Sequence, residues 1–363
     1  MKSEKLRVLV VPNSIFFPPY LDDLSPLEAS GVIPRCWIHD VDAEIAYLDQ
    51  RLQTNPSRIR RRLYKRLPIW VVQVLEAYRA GRNYDVVFLW SVANVALVLA
   101  LLLKVTFRRM TIVALFTRVS EPKKARLLRL VHGKIAKIIL PPASQREIAI
   151  SKIGVPADKL VSLPWTTDTH FWRDRSLVSE RNMICAAGGE MRDYRTLVKA
   201  LEGLEIPCHI AGVLDASRQD WWNAAADESD DPADIPANIT VGTMPPPKLR
   251  ELYAKSRLVV VPLQPTNSDN GITCMNEAWA MGRPVIVSDV QGQCGAFIDG
   301  KEGLWVPVGN VEAMRSAIIS LWNDPNRADE MGAAGRRLVE RSKDNIVFSE
   351  GISRVIAEAA ERS

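Results

Sequence analysis

The stretch 259–309 constrains the fold of this chain more than any other. It reads VVVPLQPTNSDNGITCMNEAWAMGRPVIVSDVQGQCGAFIDGKEGLWVPVG. Residues 258–263 are a β-branched apolar run stopped by Gln264 and Pro265, the pattern of a buried strand. A polar loop, 266–271, contains Gly271, and the apolar spacing of 272–281 predicts a helix. Gly282 stands where a C′ glycine belongs and Pro284 bars continuation, so the helix ends there and 285–288 is the next strand. Strand, loop, helix and strand in this order place the loop at the carboxyl edge of a parallel sheet, where ligands bind against a helix N-terminus.

Two carboxylates lie in this unit, Asp269 in the loop and Glu277 in the helix. Glu277 is six residues past Gly271, roughly 9 Å along the axis at about 1.5 Å per residue. A phosphate on the helix start therefore leaves a carboxylate one ribose-length away, and carboxylates accept hydrogen bonds from sugar hydroxyls. Alone, each reads more simply as a turn aspartate or a solvated helix glutamate. The surrounding residues reverse that preference.

Residues 277–286, EAWAMGRPVI, follow Asp269 and the loop glycine Gly271. This resembles the donor-binding signature of retaining GT-B glycosyltransferases of family 4. In that family an acidic residue, a glycine-containing loop and a glutamate eight positions on lead into a similar segment. GLWVP at 303–307, NDP at 323–325 and MG at 331–332 extend the resemblance, as does GVPADKL at 154–160, followed by Leu163, Pro164, Asp168 and Phe171. It is strong over about 160–348 and looser before that. The resemblance implies an α/β chain of two Rossmann-like doubly wound domains facing a cleft. Residues 1–164 would bind acceptor and 165–343 the nucleotide sugar, with 344–363 a helix crossing back to the first domain.

Gly188 and Gly189 follow an apolar strand, 183–187, and precede a helix. Glycines there let backbone approach a phosphate closely, and Arg192 beside them can grip a diphosphate in a bidentate manner. The resemblance implies a diphosphate on Gly271, Ile272 and Arg192, with Asn270 and Thr273 nearby. It implies ribose on Glu277, sugar hydroxyls on Asp269, and the nucleobase near Thr243 and Met244. Arg192, Asp269 and Glu277 carry the expected chemistry, and Arg118 stands on the acceptor side. No metal ion or other cofactor is expected, since helix N-termini and arginine can meet the charge on the leaving diphosphate.

Alternation of strands and helices continues through the N-terminal half. Strands are expected at 6–11, 85–90, 111–116 and 138–141, and helices at 67–81, 92–104, 123–137 and 144–153, the last capped by Ser144 with Glu147 at capping-box spacing. In the second half, helices are expected at 249–256, 310–323, 327–341 and 348–361, and an acidic, Trp-containing segment at 215–234 as helix then loop. The loop after the first strand, 12–20, has no glycine, and no GxGxxG or Walker A sequence occurs, which disfavours dehydrogenases and P-loop enzymes. The most apolar run, 92–103, is about 12 residues, short of the ~20 that span a bilayer.

The chain of 363 residues suits two domains, and 47% hydrophobic with 25% charged residues is a globular composition. Five cysteines without a CxxC pair and four scattered histidines fit a reducing cytosol and offer no metal cluster. The start, MKSEKLRVLVVP, enters a strand directly, without a signal-peptide apolar region. Charge is uneven. Residues 51–137 hold nineteen Lys and Arg against Glu76, Asp85 and Glu121, an excess of 16, so with a net charge of +5 the remainder carries −11. The densest part, 58–66, interleaves Arg58, Arg60, Arg61, Arg62, Lys65 and Arg66 with Ile59, Leu63 and Tyr64. As a helix it would set an apolar stripe beside a cationic one and lie on an anionic membrane surface. The expected function is transfer of a sugar from a nucleoside-diphosphate sugar, a UDP-sugar for instance, to a hydroxyl on a sugar, a lipid-linked molecule or a small molecule. The expected place is the cytoplasm, on or off the membrane's inner leaflet. A GT-B sugar-nucleotide epimerase and a non-catalytic GT-B binding protein stay open as alternatives. A nucleic-acid partner is not expected, because no aromatic-interleaved recognition motif accompanies the cations.

Overall fold

The computed structural model describes residues 5–13, 24–49, 51–54, 57, 60, 62, 64–141, 143–174, 180–212 and 235–361. Most of the loop 12–20, the acidic segment 215–234, and Arg58, Ile59, Arg61 and Leu63 lie outside them. The chain divides into two compact units. One comprises Met1–Ser30, Trp37–Pro164 and Ile346–Ser363, the other Gly31–Cys36 and Trp165–Asn345.

The first unit is a parallel sheet of six strands in the order β2-β1-β3-β4-β5-β6. These are β1 Arg7–Pro12, β2 Glu44–Tyr47, β3 Val86–Trp90, β4 Ile112–Leu115, β5 Lys137–Ile139 and β6 Leu160–Val161. The central strands are apolar throughout because helices cover both faces, and Val86, Val87, Phe88 and Leu89 are all buried completely. The helices are α1 Leu24–Ala29, α2 Arg51–Thr54, α3 Ile69–Ala80, α4 Ala93–Val105, α5 Pro122–Val131 and α6 Ala143–Ile148.

Two local expectations fail here. The helix expected over 123–137 stops at Val131 and passes through a 3-10 turn, His132–Lys134, into β5. Lys137 misled the reading because its charge suits a helix surface. It sits instead in a buried strand and is neutralised by Glu358 at 2.9 Å. Ser144 is not a cap, because α6 already begins at Ala143. The helix passes into a π turn, Ala149–Ile153, that ends on left-handed Gly154.

The second unit repeats the plan: six parallel strands in the order β12-β11-β10-β7-β8-β9. They are β7 Met183–Ala187, β8 Cys208–Ala211, β9 Ile239–Val241, β10 Ser256–Val261, β11 Val285–Asp289 and β12 Gly303–Pro307. Their helices are α7 Tyr194–Leu201, α8 Pro246–Lys255, α9 Ile272–Ala280, α10 Val311–Trp322 and α11 Pro325–Ser342. Asp193, Asn310 and Asp324 cap α7, α10 and α11 through their side chains.

The last helix, α12 Asn345–Glu361, belongs from Ile346 onward to the first unit. Ser349 donates to the Trp37 carbonyl at 2.7 Å, and Ser353 Oγ accepts the Asp42 N–H at 3.0 Å. Phe348 packs edge-on against Trp37, with ring centroids 4.9 Å apart.

The basic segment is partly folded inward. Tyr64 is buried, and its hydroxyl donates to the Glu76 carboxylate on α3. Arg60 reaches the same carboxylate at 3.4 Å and Arg79 at 2.6 Å. The ring expected on an exposed apolar stripe is therefore spent on the core.

Candidate active site

In the second unit the carboxyl ends of β7 and β10 lie side by side, and the loops leaving them build the site. Gln264 donates its N–H to the Met191 carbonyl at 2.9 Å, and Asp193 to the Pro262 carbonyl at 3.0 Å. These two bonds fasten the turn after β7 to the loop before α9, and Arg192 is carried between them. Its side chain is 6% exposed. Nε donates to the Ala187 carbonyl at 2.9 Å, Nη1 to the Glu190 carbonyl at 2.8 Å and Nη2 to Cys274 Sγ at 3.2 Å. The guanidinium thus ties the turn to the first turn of α9. Gly188 permits this, since its φ is +93° and a Cβ there would stand 2.4 Å from Arg192 Nη2.

α9 opens on Gly271, at φ +91°, with no side chain capping it. A Cβ at Gly271 would come within 2.7 Å of Val261 Cγ1. Ile272 N–H is already taken by the Asp269 carbonyl at 3.1 Å, and the first bond four residues back runs from Met275 to Gly271 at 3.0 Å. The N–H groups of Thr273 and Cys274 therefore begin the helix, with the positive end of its dipole and the buried Arg192 charge behind them. Such an end favours an anion.

The loop itself is braced. Thr266 and Ser268 hydroxyls both donate to Asn270 Oδ1, at 2.8 and 2.5 Å. Gln293 donates to the Asn270 carbonyl at 2.7 Å, and Gly292 N–H to the Thr266 carbonyl at 3.1 Å. Gly292 is obligatory, because a Cβ there would lie 1.8 Å from the Ser268 carbonyl oxygen.

Asp269 has one oxygen, Oδ2, buried without a hydrogen-bond partner. Burial pushes this carboxyl up to about 6, against its own backbone N–H and the Trp165 indole, which favour the charged form. Glu277 accepts a hydrogen bond from the Tyr253 hydroxyl at 3.1 Å. Burial lifts it to about 8, opposed by Tyr253 and by the Arg192 charge. Asn276 donates to the Trp165 carbonyl at 2.9 Å and fixes that tryptophan beside the helix. Raised carboxyls with unspent hydrogen-bonding capacity next to an anion-favouring helix end are the mark of a ligand site.

The other expected residues are distributed as follows. Gly189, Glu190 and Thr273 are exposed around the same loops. Thr243, exposed, and Met244, packed against the core of this unit, follow β9 at the sheet edge. Arg118 belongs to the first unit, beyond the end of β4, where it is exposed and donates from Nε to Ser120 Oγ at 3.2 Å. Tyr253, Trp165, Gly292 and Gln293 escaped the sequence reading, since they reach the site from elements outside the loop and α9 and no spacing rule links them, and Cys274, though on α9, offered no chemistry by its spacing. A cavity of ≈ 480 Å³ opens at the other end of α9, beside Ala280, Gly282 and Arg336, and none of the expected donor residues lines it.

Residues 186–338 match the profile of the family Glycosyl transferases group 1. The segment that carries the candidate site is thus similar to that family. Solved structures with the same two-sheet GT-B fold cover nearly its whole length. A glycosyltransferase from Rickettsia africae superposes with a TM-score of 0.69 at 15% identity, over 99% of this chain and 100% of that one. Sucrose-phosphate synthase from Thermosynechococcus elongatus gives 0.71 at 14% identity, over 99% and 100%. Anabaena HepE, solved in complex with UDP, gives 0.68 at 12%, over 97% and 100%. D-inositol 3-phosphate glycosyltransferase of Kribbella flavida is 34% identical over 94 residues, which are 26% of this chain and 22% of that protein. The chain thus matches about a fifth of the length of that relative. The matched group 1 segment contains all the second-unit residues described above except Trp165.

Proposed function

We propose that the protein is a retaining glycosyltransferase that moves a sugar from a nucleoside-diphosphate sugar to an acceptor hydroxyl. The observation that carries this is the convergence of Arg192, the uncapped start of α9, Asp269 Oδ2 and Glu277 on one sheet edge, within the group 1 segment. The diphosphate lies on the backbone of Gly271, Thr273 and Cys274, with Arg192 supplying charge from beneath. Glu277 takes the ribose and Asp269 the hydroxyls of the transferred sugar. Charge building on the leaving diphosphate meets a preorganised helix end and a fixed guanidinium, so the reading needs no metal ion. HepE, with the same fold, has been solved with UDP-glucose, which makes UDP-sugars the first donors to try. Thr243 and Met244 would stand at the base and Arg118 at the acceptor. The cationic excess of 51–137 favours an acceptor that is lipid-linked or lies at an anionic membrane surface.

A thermal-shift panel of nucleoside-diphosphate sugars tests the donor reading. A ligand at about 100 times its Kd adds about 2.7 kcal/mol to native stability. The matched donor then transfers its sugar with the anomeric configuration kept, read by NMR of the product. No shift with any donor, or an inverted product, overturns the proposal.

A further inference from the structure

A second surface lies on the first unit, at the amino edge of its sheet, where α4 and α5 end. Between α4 and β4 the chain makes a short turn through Phe107. Phe107 is 84% exposed and sits at φ +55°. That backbone region is unfavourable for a bulky side chain and is occupied only where the neighbours impose it.

The neighbours here are identifiable. Thr106 Oγ1 donates to the Leu102 carbonyl at 2.7 Å. Arg108 lies over the Tyr78 ring, 4.6 Å from its centroid, and donates to the Tyr78 carbonyl at 2.8 Å. Met110 packs against Gly81. The turn is clamped on both sides, and the clamp drives the aromatic ring out into solvent.

Val105, 66% exposed, lies two residues before Phe107, and Leu130, 53% exposed, lies in the last turn of α5. The ends of α4 and α5 are joined by Lys104, whose ammonium donates to the Leu130 carbonyl at 2.7 Å. Arg109 is exposed in the same turn, and Lys134 follows α5. Cations at helix C-termini are ordinary, because they offset the helix dipole. A strained aromatic held out among them is not.

We propose that this surface docks on anionic phospholipid, with Phe107, Val105 and Leu130 entering the interface and Lys104, Arg109 and Lys134 meeting lipid phosphates. Exposed apolar residues without the cations would suit another protein equally well. The cations select a negatively charged, partly apolar surface. The inference extends the membrane part of the proposed function and is independent of the donor chemistry.

Flotation of the full chain with vesicles tests it. Binding to phosphatidylglycerol-containing vesicles is expected, with none to pure phosphatidylcholine. It falls as salt rises, because the Debye length shrinks from about 10 Å at 0.1 M to about 3 Å at 1 M. Phe107→Asn removes the ring and places a residue that tolerates positive φ. Its vesicle affinity should drop about tenfold to a hundredfold, while its Tm holds or rises. The pair Arg109→Gln and Lys134→Gln should lose roughly thirtyfold, at about 1 kcal/mol per cation. Donor hydrolysis in solution should stay unchanged in both variants, so loss of hydrolysis in the wild type would count against the donor reading alone. Wild type that ignores anionic vesicles at low salt overturns the proposal. So does a Phe107→Asn protein that floats like wild type, or one that melts lower, which would make the ring a packing residue. Sedimentation in which Phe107→Asn dissolves a dimer, with no vesicle binding, would assign the surface to a second copy of the chain instead.

Discussion

Tyr253 and Glu277, 24 residues apart on successive helices, meet through a hydrogen bond of 3.1 Å from the phenol to the carboxylate. The bond occupies one oxygen of Glu277 and orients the other. A ligand hydroxyl bound there would meet a carboxyl group whose direction is already set.

Glu277→Gln keeps the size and replaces an acceptor oxygen with an amide. A buried hydroxyl left without its acceptor costs roughly 1–3 kcal/mol, so the donor KM should rise about 10- to 100-fold or turnover should vanish, with the melting profile at neutral pH retained. Tyr253→Phe leaves the carboxylate in place and should cost about tenfold or less. Steady-state kinetics with the matched donor check both. Unchanged constants in Glu277→Gln would remove the residue from the ribose site.

Stability should depend on pH through the same carboxyl. In the unfolded chain Glu277 ionises near 4.5, whereas in the folded protein it keeps its proton to about 8. Between those values the native state binds more protons than the unfolded state, so stability falls as pH rises and levels off above about 8. Asp269 does the same between 3.8 and about 6. From pH 6 to pH 8 the slope belongs to Glu277 of the two. Urea melts at the two ends of that window should show a loss in the wild type that Glu277→Gln largely abolishes. An equal slope in both proteins would mean that Glu277 is ionised in the folded state.

Arg192→Ala should do two things at once. The Glu190 carbonyl and the Cys274 sulfur lose their donor, and the Ala187 carbonyl keeps only Cys274 Sγ at 3.3 Å, which should cost on the order of 2–4 kcal/mol of stability. Loss of the buried charge should weaken nucleoside diphosphate binding much more than nucleoside binding. Calorimetry with UDP and uridine separates the effects, and an equal loss for both ligands would make the residue purely structural.

Gly292→Ala probes the loop without touching any group assigned to the donor. The added methyl would meet the Ser268 carbonyl at 1.8 Å, so the loop carrying Asp269 and Asn270 must shift. Donor affinity should fall about tenfold or more, as expected when binding groups are misplaced by an ångström, while Gly133→Ala, at an ordinary φ where a Cβ meets nothing within 4 Å, serves as the glycine control for the fold. A Gly292→Ala protein with wild-type donor affinity would show that the loop has room to adapt.

Much of this architecture is written locally. The buried strands β3, β4, β10 and β11 are apolar runs bounded by turn residues, and a parallel sheet covered on both faces produces that pattern. The short outer strands β2 and β6 are not, since the apolar run in Glu44–Tyr47 is only three residues and Leu160–Val161 is two residues long. Lys137 shows the limit most clearly. Its burial depends on Glu358, far along the chain. The site divides in the same way. Asp269, Gly271 and Glu277 share one loop and helix, so their spacing carries the chemistry. Arg192 was visible through its glycines, but its depth was not, because that is set by backbone pairing with 262–264. Tyr253, Trp165 and Gly292 act through tertiary contact alone.

The discontinuous first unit has a consequence for how the protein is made. Trp37, Asp42 and Lys137 all wait for partners on α12, at Ser349, Ser353 and Glu358. Those partners are synthesised after the whole of the second unit. Domains ordinarily complete themselves in order of synthesis. Here the unit begun first is completed after the one encoded in the middle. Nascent chains arrested before residue 346 should therefore protect the second unit from protease while the first remains cleavable, and emergence of α12 should protect both.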